Sequence, residues 1–253
     1  MLKKVIQCFS QRILLRIKAS LHQSTVSEGE FEYIQLPQQH LQDALEVLNL
    51  GFYPFESVCR VLGIAKVPEA VADLNRLSAC VSEDEVSIIA MERKTNRVVG
   101  VAFNKLQVNS SSGEAGYFEK FLETCKHPAS RKLMELMIEA DALCNLFEKC
   151  NTNCLLEIMF LSVHPDYRKA GIGLKLCEVS IELAKSLQGA NAPGAVCALF
   201  TSPISQKIGS ELGMTVPARL AYADVHFNGK SFADVLEPNN KDIAVAYKLL
   251  KTN

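Results

Sequence analysis

Tryptophan is absent from the 253 residues, aromatics make up only 7% of them, and the formal net charge is -1. A chain so balanced has no global positive field to gather nucleic acid and few flat side chains on which bases could stack. A small-molecule partner fits it better than a polyanion. No C-x-x-C pair occurs among the nine cysteines, an odd number, so neither a zinc site nor a complete disulfide framework is indicated and no metal is expected. Several cysteines, such as Cys154 and Cys197, stand inside apolar runs and read as small buried hydrophobes kept reduced. Nor does any apolar run approach the ~20 residues of a spanning helix, which excludes a membrane span and predicts a soluble, cytoplasmic protein.

Acids are also missing before Glu28, whereas Lys3, Lys4, Arg12, Arg16 and Lys18 are basic. This is the composition of a mitochondrial transit peptide, the alternative to a cytoplasmic location, and equally that of a solvated tail. Residues 1–27 are therefore set outside the fold, and 28–253, in a chain 48% hydrophobic and 22% charged, are expected to form one α/β domain.

Within that domain Phe31–Ile34 reads as a strand, 37–50 as a helix stopped at Gly51, and Phe52-Tyr53-Pro54-Phe55-Glu56-Ser57 as an aromatic turn that Pro54 keeps from being helical. A helix over 68–79 starts on a proline. Runs 86–92 and 98–108 form a hairpin, 109–113 a loop, and the next 40 or so residues repeat apolar positions at helical intervals. Leu155–Val163 is a nearly continuous apolar run, as a strand buried on both faces should be. Helical spacing resumes at Leu174 and lasts to Leu187, and a second buried strand covers Ala195–Phe200, so strand, glycine loop, helix and strand make a βαβ unit. Thr201-Ser202-Pro203 supplies cap residues for a helix through Leu212, and 218–227 and 243–249 are the last strand candidates.

The loop of the βαβ unit, Arg168-Lys169-Ala170-Gly171-Ile172-Gly173, carries the chemistry. The first N–H groups of a helix lack intrahelical partners and sit at the positive end of its dipole, so an anion is their natural ligand. Gly171 and Gly173 allow phosphate oxygens to approach the backbone, and Arg168 can add a charge-assisted contact. Two glycines at this spacing are also compatible with close helix–strand packing. The loop is neither G-x-G-x-x-G nor a G-K-[ST] P-loop, which disfavours dinucleotides and ATP.

The run Leu161-Ser162-Val163-His164-Pro165-Asp166-Tyr167 followed by this loop resembles the [RQ]-x-x-G-x-[GA] acetyl-CoA motif of the GNAT superfamily. Phe52 to Glu56, the long helical insert, Phe200-Thr201-Ser202-Pro203-Ile204-Ser205 and Leu212-Gly213-Met214 narrow the resemblance to insect arylalkylamine N-acetyltransferases of the dopamine N-acetyltransferase type, over roughly residues 31–250. It implies an α/β GNAT acyl-CoA N-acyltransferase fold with a mixed central sheet and helices on both faces. It also implies that acetyl-CoA, as cosubstrate, lies along the backbone of Leu161, Ser162 and Val163 with its pyrophosphate on Arg168 to Gly173. Glu56 matches the family's catalytic base, although Phe55 and Ser57 replace the usual flanking Asp and Pro. Thr201 and Ser205 match hydroxyls held to be catalytic; capping accounts for Thr201 or Ser202, less readily for Ser205.

The chemistry requires such groups. An alkyl ammonium has a pKa of ~10, so something must take its proton before it attacks a thioester. A carboxylate in a cleft walled by Phe52, Tyr53 and Phe55 suits that task. Backbone N–H groups at the end of the 155–163 strand would stabilise the oxyanion, and Ser205 would protonate the thiolate or order water for it. The expected activity is acetyl transfer to a small arylalkylamine. Acylation of polyamines or protein lysines, or silent CoA binding, are the alternatives.

Overall fold

The computed structural model of the chain describes residues 26–109, 116–189 and 192–250. The basic segment before Val26 and most of the 109–113 loop fall outside them. In chain order the elements are β1 (Val26–Glu28), β2 (Phe31–Gln35), α1 (Leu41–Gly51), α2 (Ser57–Leu62), α3 (Pro68–Ser82), β3 (Ile88–Glu92), β4 (Arg97–Val108), α4 (Tyr117–Leu122), α5 (Pro128–Ala142) and α6 (Leu146–Lys149). They continue with β5 (Cys154–Val163), α7 (Ile172–Ser186), β6 (Ala195–Phe200), α8 (Pro203–Glu211), β7 (Thr215–Ala221), β8 (His226–Phe227), β9 (Lys230–Ser231) and β10 (Asp242–Leu249).

Eight strands form one sheet in the order β1-β2-β3-β4-β5-β6-β10-β7. Its pairs are antiparallel except β5 with β6. Side chains of the central strands alternate between two cores, as period two requires. Ile89, Val101, Phe103, Leu155, Cys197 and Val245 face α1, α2, α3 and α5; Ile88, Ala90, Ala102, Leu156, Val196 and Ala244 face α7. The sheet is therefore mixed with helices on both faces, and its central strands are apolar on both sides.

Three sequence expectations change. The sheet begins at Val26, where β1 pairs with β2, two residues inside the segment set apart as tail. Helix α1 runs through Gly51 instead of stopping before it, because Gly51 seats the helix end on the sheet: a Cβ there would lie 2.5 Å from the Val163 carbonyl oxygen and 2.7 Å from Ser162 Oγ. The strand expected over 218–227 is divided, since β7 ends at Ala221 and His226–Phe227 pairs with Lys230–Ser231. Asn228 (φ 49) and Gly229 (φ 78) make the tight turn between them, an Asn-Gly pair suited to two left-handed residues.

Two buried polar groups lock elements together, one a helix to the sheet and the other a helix to the α4–α5 insert. Asn104, at the bulge where β4 and β5 slip register, donates to Val86 O at 2.8 Å and to Ser180 Oγ of α7 at 2.9 Å. Asp73 of α3 accepts from the Lys126 and His127 N–H groups (2.8 and 3.1 Å) and from Ser130 Oγ (2.7 Å), and pairs with Arg76 at 3.1 Å, holding the α4–α5 insert on α3. Burial alone would raise the Asp73 pKa; bonds from Ser130, the two backbone amides and Arg76 outweigh it and hold the carboxyl below its ordinary range. A depressed folded-state pKa stabilises the fold above the unfolded value and loses that contribution as pH falls through the folded one. Asp73→Asn should cost about 2–4 kcal/mol at neutral pH and flatten the acid limb of the stability curve, as denaturant melts between pH 7 and 3 would record.

Candidate functional site

The site begins where two parallel strands part. β5 and β6 pair only at Leu155–Ala195, Leu156–Val196 and Glu157–Cys197, after which β5 follows β4 through the bulge while β6 follows β10 along its whole length. The β5 edge from Ile158 to Val163 is left open. Which groups face the opening follows from the ladder: the His164 N–H donates to Val99 O at 2.8 Å, so Val101–Ser162 and Phe103–Phe160 are the bonded pairs. The N–H and C=O of Leu161 and Val163 therefore point to the open edge. Those of Ser162 are spent on β4, and its hydroxyl donates to Val47 O at 2.9 Å. Ser162 thus does not face the opening as the other two do.

Beyond β5 the chain turns through a 3-10 segment, Pro165–Tyr167, into the exposed glycine loop. Lys169 (φ 66) and Gly171 (φ 77) are both left-handed, a conformation that gathers successive N–H groups on one concave side. Gly171 caps α7 without any side-chain hydrogen bond, so the N–H groups of its first turn are not taken by a side-chain cap, unlike those of α2, α5, α6 and α8. A Cβ on Gly171 would meet nothing within 4 Å, and one on Gly173 only Ile208, Val163 and Leu161 side chains at 3.6 to 3.9 Å, ordinary contact distances. Gly171 is required by its φ; Gly173 is required by neither φ nor packing. Helix–strand packing therefore does not account for Gly173. Ala170 and Lys169 are exposed beside it, and Ile172 is the buried residue that anchors the loop. These groups fit a CoA pyrophosphate.

The aromatic turn lies against the same end of β5. Glu56 is the N-cap of α2, an element not anticipated from sequence: its carboxylate accepts from Val58 N at 3.0 Å and from Cys59 N at 2.7 Å. A carboxylate has about four lone-pair sites, so two such bonds leave room for a proton. The three aromatics do not form the expected wall. Tyr53 is buried with its hydroxyl 3.0 Å from Asn75 Oδ1, and Phe52 packs edge-on against Phe160 at 5.3 Å, both consequences of α1 and the turn closing over the core. Phe55 alone is exposed, and the Arg168 guanidinium covers it at 4.0 Å.

Thr201 and Ser205 sit where β6 passes into α8. The Thr201 carbonyl accepts from the buried Tyr222 hydroxyl at 2.7 Å. Ser202 is the N-cap and Ser205 the reciprocal member of a capping box: Ser205 N donates to Ser202 Oγ at 3.2 Å and Ser202 N to Ser205 Oγ at 3.1 Å. Capping accounts for Ser205 as fully as for Ser202, which corrects the sequence reading.

Groups with no signal in the sequence complete the region. Burial and the charge of Glu56 both raise the Tyr222 pKa, so the phenol that donates to Thr201 O stays neutral. Asn240 donates to Ser57 Oγ at 2.7 Å, beside Glu56. Glu157, 1% exposed at the vertex of the opening, is pushed well above the carboxylate range by burial and by Asp141, and takes a hydrogen bond from Gln107. Cys59, next to the Glu56 carboxylate, is pushed far up by burial and by that charge, so it is no thiolate nucleophile. Cys59, Cys125, Cys154, Cys177 and Cys197 are buried free thiols, and Cys144 and Cys150 half-buried ones. Among the described residues no cluster of metal-ligating side chains occurs and no helix is long and apolar enough to cross a membrane.

A mixed sheet opened between its parallel strands, with an N-terminally uncapped helix at the opening, is the fold of the GNAT acyl-CoA N-acyltransferases, and this chain has it. Arylalkylamine N-acetyltransferase 2 from Aedes aegypti superposes with a TM-score of 0.77 at 22% identity, over 88% of this chain and 100% of that one. The putative arylalkylamine N-acetyltransferase 7 from the same mosquito gives 0.72 at 20% identity, over 87% of each chain. The polyamine N-acetyltransferase of Drosophila melanogaster gives 0.71 at 16%, over 87% of this chain and 100% of its own. No protein-family model matches the chain.

Since Gly173 meets only ordinary contacts, Gly173→Ala should leave the melting temperature unchanged or slightly raised while weakening CoA binding about tenfold or more. Gly171→Ala should instead cost about 1 kcal/mol of stability through its left-handed φ. Calorimetry on the two variants, with melts alongside, separates the cases.

Proposed function

We propose that the protein is an acetyl-CoA-dependent N-acetyltransferase acting on a small primary amine of the arylalkylamine class. The observation that carries this reading is the open β5 edge, where the free N–H and C=O groups of Leu161 and Val163 meet the uncapped first turn of α7. Acetyl-CoA, when bound, supplies the activated acyl group as a thioester. Leu161 and Val163 would hold its chain along the strand, and Arg168, Lys169, Ala170, Gly171, Ile172 and Gly173 its pyrophosphate. Backbone N–H groups of the open edge would also receive charge developing on the acyl oxygen.

Glu56 is assigned the ammonium proton, taken directly or through water, while its bonds to Val58 N and Cys59 N fix the carboxylate. Ser205 is assigned proton delivery or water ordering at the departing thiolate, with Thr201 beside it. Glu56→Gln should lower kcat about 10²- to 10⁴-fold at neutral pH, leave CoA binding nearly unchanged, and recover in part at high pH, where more amine arrives neutral. Glu56→Ser, which keeps a good N-cap without a basic carboxylate, should retain the fold and lose turnover to the same extent. Near wild-type kcat across the pH profile for either variant would place the base elsewhere.

The substrate class rests on the resemblance to arylalkylamine enzymes. A second reading is a polyamine or lysine substrate, since the Drosophila neighbour catalyses the formation of N-acetylagmatine. Tyramine-, dopamine- and serotonin-like amines are expected to exceed agmatine, spermidine and lysine peptides in kcat/KM, read as free thiol release. The reverse order selects the second reading; CoA binding without release from any amine makes the chain a silent CoA-binding protein.

A further inference from the structure

Arg168 belongs to the cofactor loop, yet its guanidinium turns toward the segment that ends in Glu56. Nη2 donates to the Gly51 carbonyl at 2.9 Å, and Cζ stands 4.0 Å over the Phe55 ring. Gly51 is the last residue of α1, where helix carbonyls lack intrahelical partners and a cation is favoured by the helix dipole. Phe55 precedes Glu56, and the N–H groups of both return to Phe52 O at 2.9 and 2.8 Å, which ties the two residues into one turn. Arg168 thus grips both ends of the Gly51–Phe55 turn. Half of the Phe55 side chain is exposed (50%), and nothing in core packing calls for an aromatic there; a planar cation above it does.

We propose that Arg168 and Phe55 form a latch that couples occupancy of the cofactor loop to the placement of Glu56, both acting as positioning residues for the amine step. This rests on the acetyl-transfer reading above. The guanidinium has five donors in a rigid fork, so the bond to Gly51 leaves an edge for a phosphate oxygen. An anion bound on the loop orders Arg168, Arg168 orders the turn, and the turn sets the cap and carboxylate of Glu56. By reciprocity, a turn held in place favours the anion-binding form of the loop.

The test uses the full chain with CoA as probe, read by hydrogen exchange, together with steady-state kinetics. In the wild type CoA should slow exchange both in the loop, 168–175, and in the turn, 51–59. Phe55→Leu, tolerable at a half-exposed site, should keep CoA affinity within about twofold and loop protection, lose the turn's protection, and lower kcat about five- to tenfold. Phe55→Tyr, which restores the ring, should recover both. Arg168→Lys keeps the charge but not the planar fork, so it should uncouple the turn as Phe55→Leu does, and the double variant should be no worse than either single one. Protection of the loop without the turn in the wild type, additive losses in the double variant, or unchanged kcat for Phe55→Leu would overturn the latch while leaving the cofactor reading intact. Protection of neither segment would overturn both.

Discussion

Three residue pairs of parallel pairing between β5 and β6 govern the rest of the molecule. β6 is bonded to β10 over its full length, whereas β5 follows β4 through a bulge that Asn104 secures to α7. Strand twist then carries β5 and β6 apart after Glu157. An open strand edge inside a sheet leaves main-chain donors and acceptors without partners, a costly state unless another extended chain takes them up. The pantetheine arm of a CoA is such a chain, and the proposed function places it in this opening.

Around that opening, the groups proposed for anion binding and for catalysis lie on two segments that are distant in sequence. The loop after β5 offers uncapped N–H groups and a glycine that nothing in the protein requires. The turn after α1 offers a carboxylate held by α2. They meet because Gly51 lets α1 rest directly on Ser162 and Val163, and because Arg168 reaches back to the Gly51 carbonyl and the Phe55 face. A larger residue at Gly51 would lift the helix end off β5 and move the Glu56 turn with it.

Polar residues near the site serve structure, including those to which the proposed function gives a chemical role. Glu56 and Ser205 both complete helix N-termini, and Tyr222 and Asn240 bind Thr201 and Ser57 from loops late in the chain. Such bonds keep side chains in one rotamer, and the Glu56 carboxylate retains lone pairs beyond its two cap bonds. Loss of a cap and loss of a proposed catalytic group therefore have to be separated by variants that preserve one of them.

Much of the architecture was legible in the chain itself. The apolar run of β5, the periodicity of α7, the proline starts of α3 and α8 and the glycine loop are short-range patterns, set by hydrophobic period and by backbone demands that neighbouring residues cannot override. The reciprocal Ser202–Ser205 cap is of the same local kind, although only the resemblance to a family drew attention to Ser205. Other features depended on tertiary contacts. Tyr53 and Phe52 face the core, not a cleft, because α1 and the turn pack on Phe160. Leu161 and Val163, but not Ser162, face the opening because of the register with β4. Tyr222, Asn240, Glu157 and the Arg168–Phe55 contact join residues tens to well over a hundred positions apart. Local periodicity determines which segments become strands and helices; which edge of a strand is left open, and which side chain from elsewhere meets it, is decided only when the sheet closes.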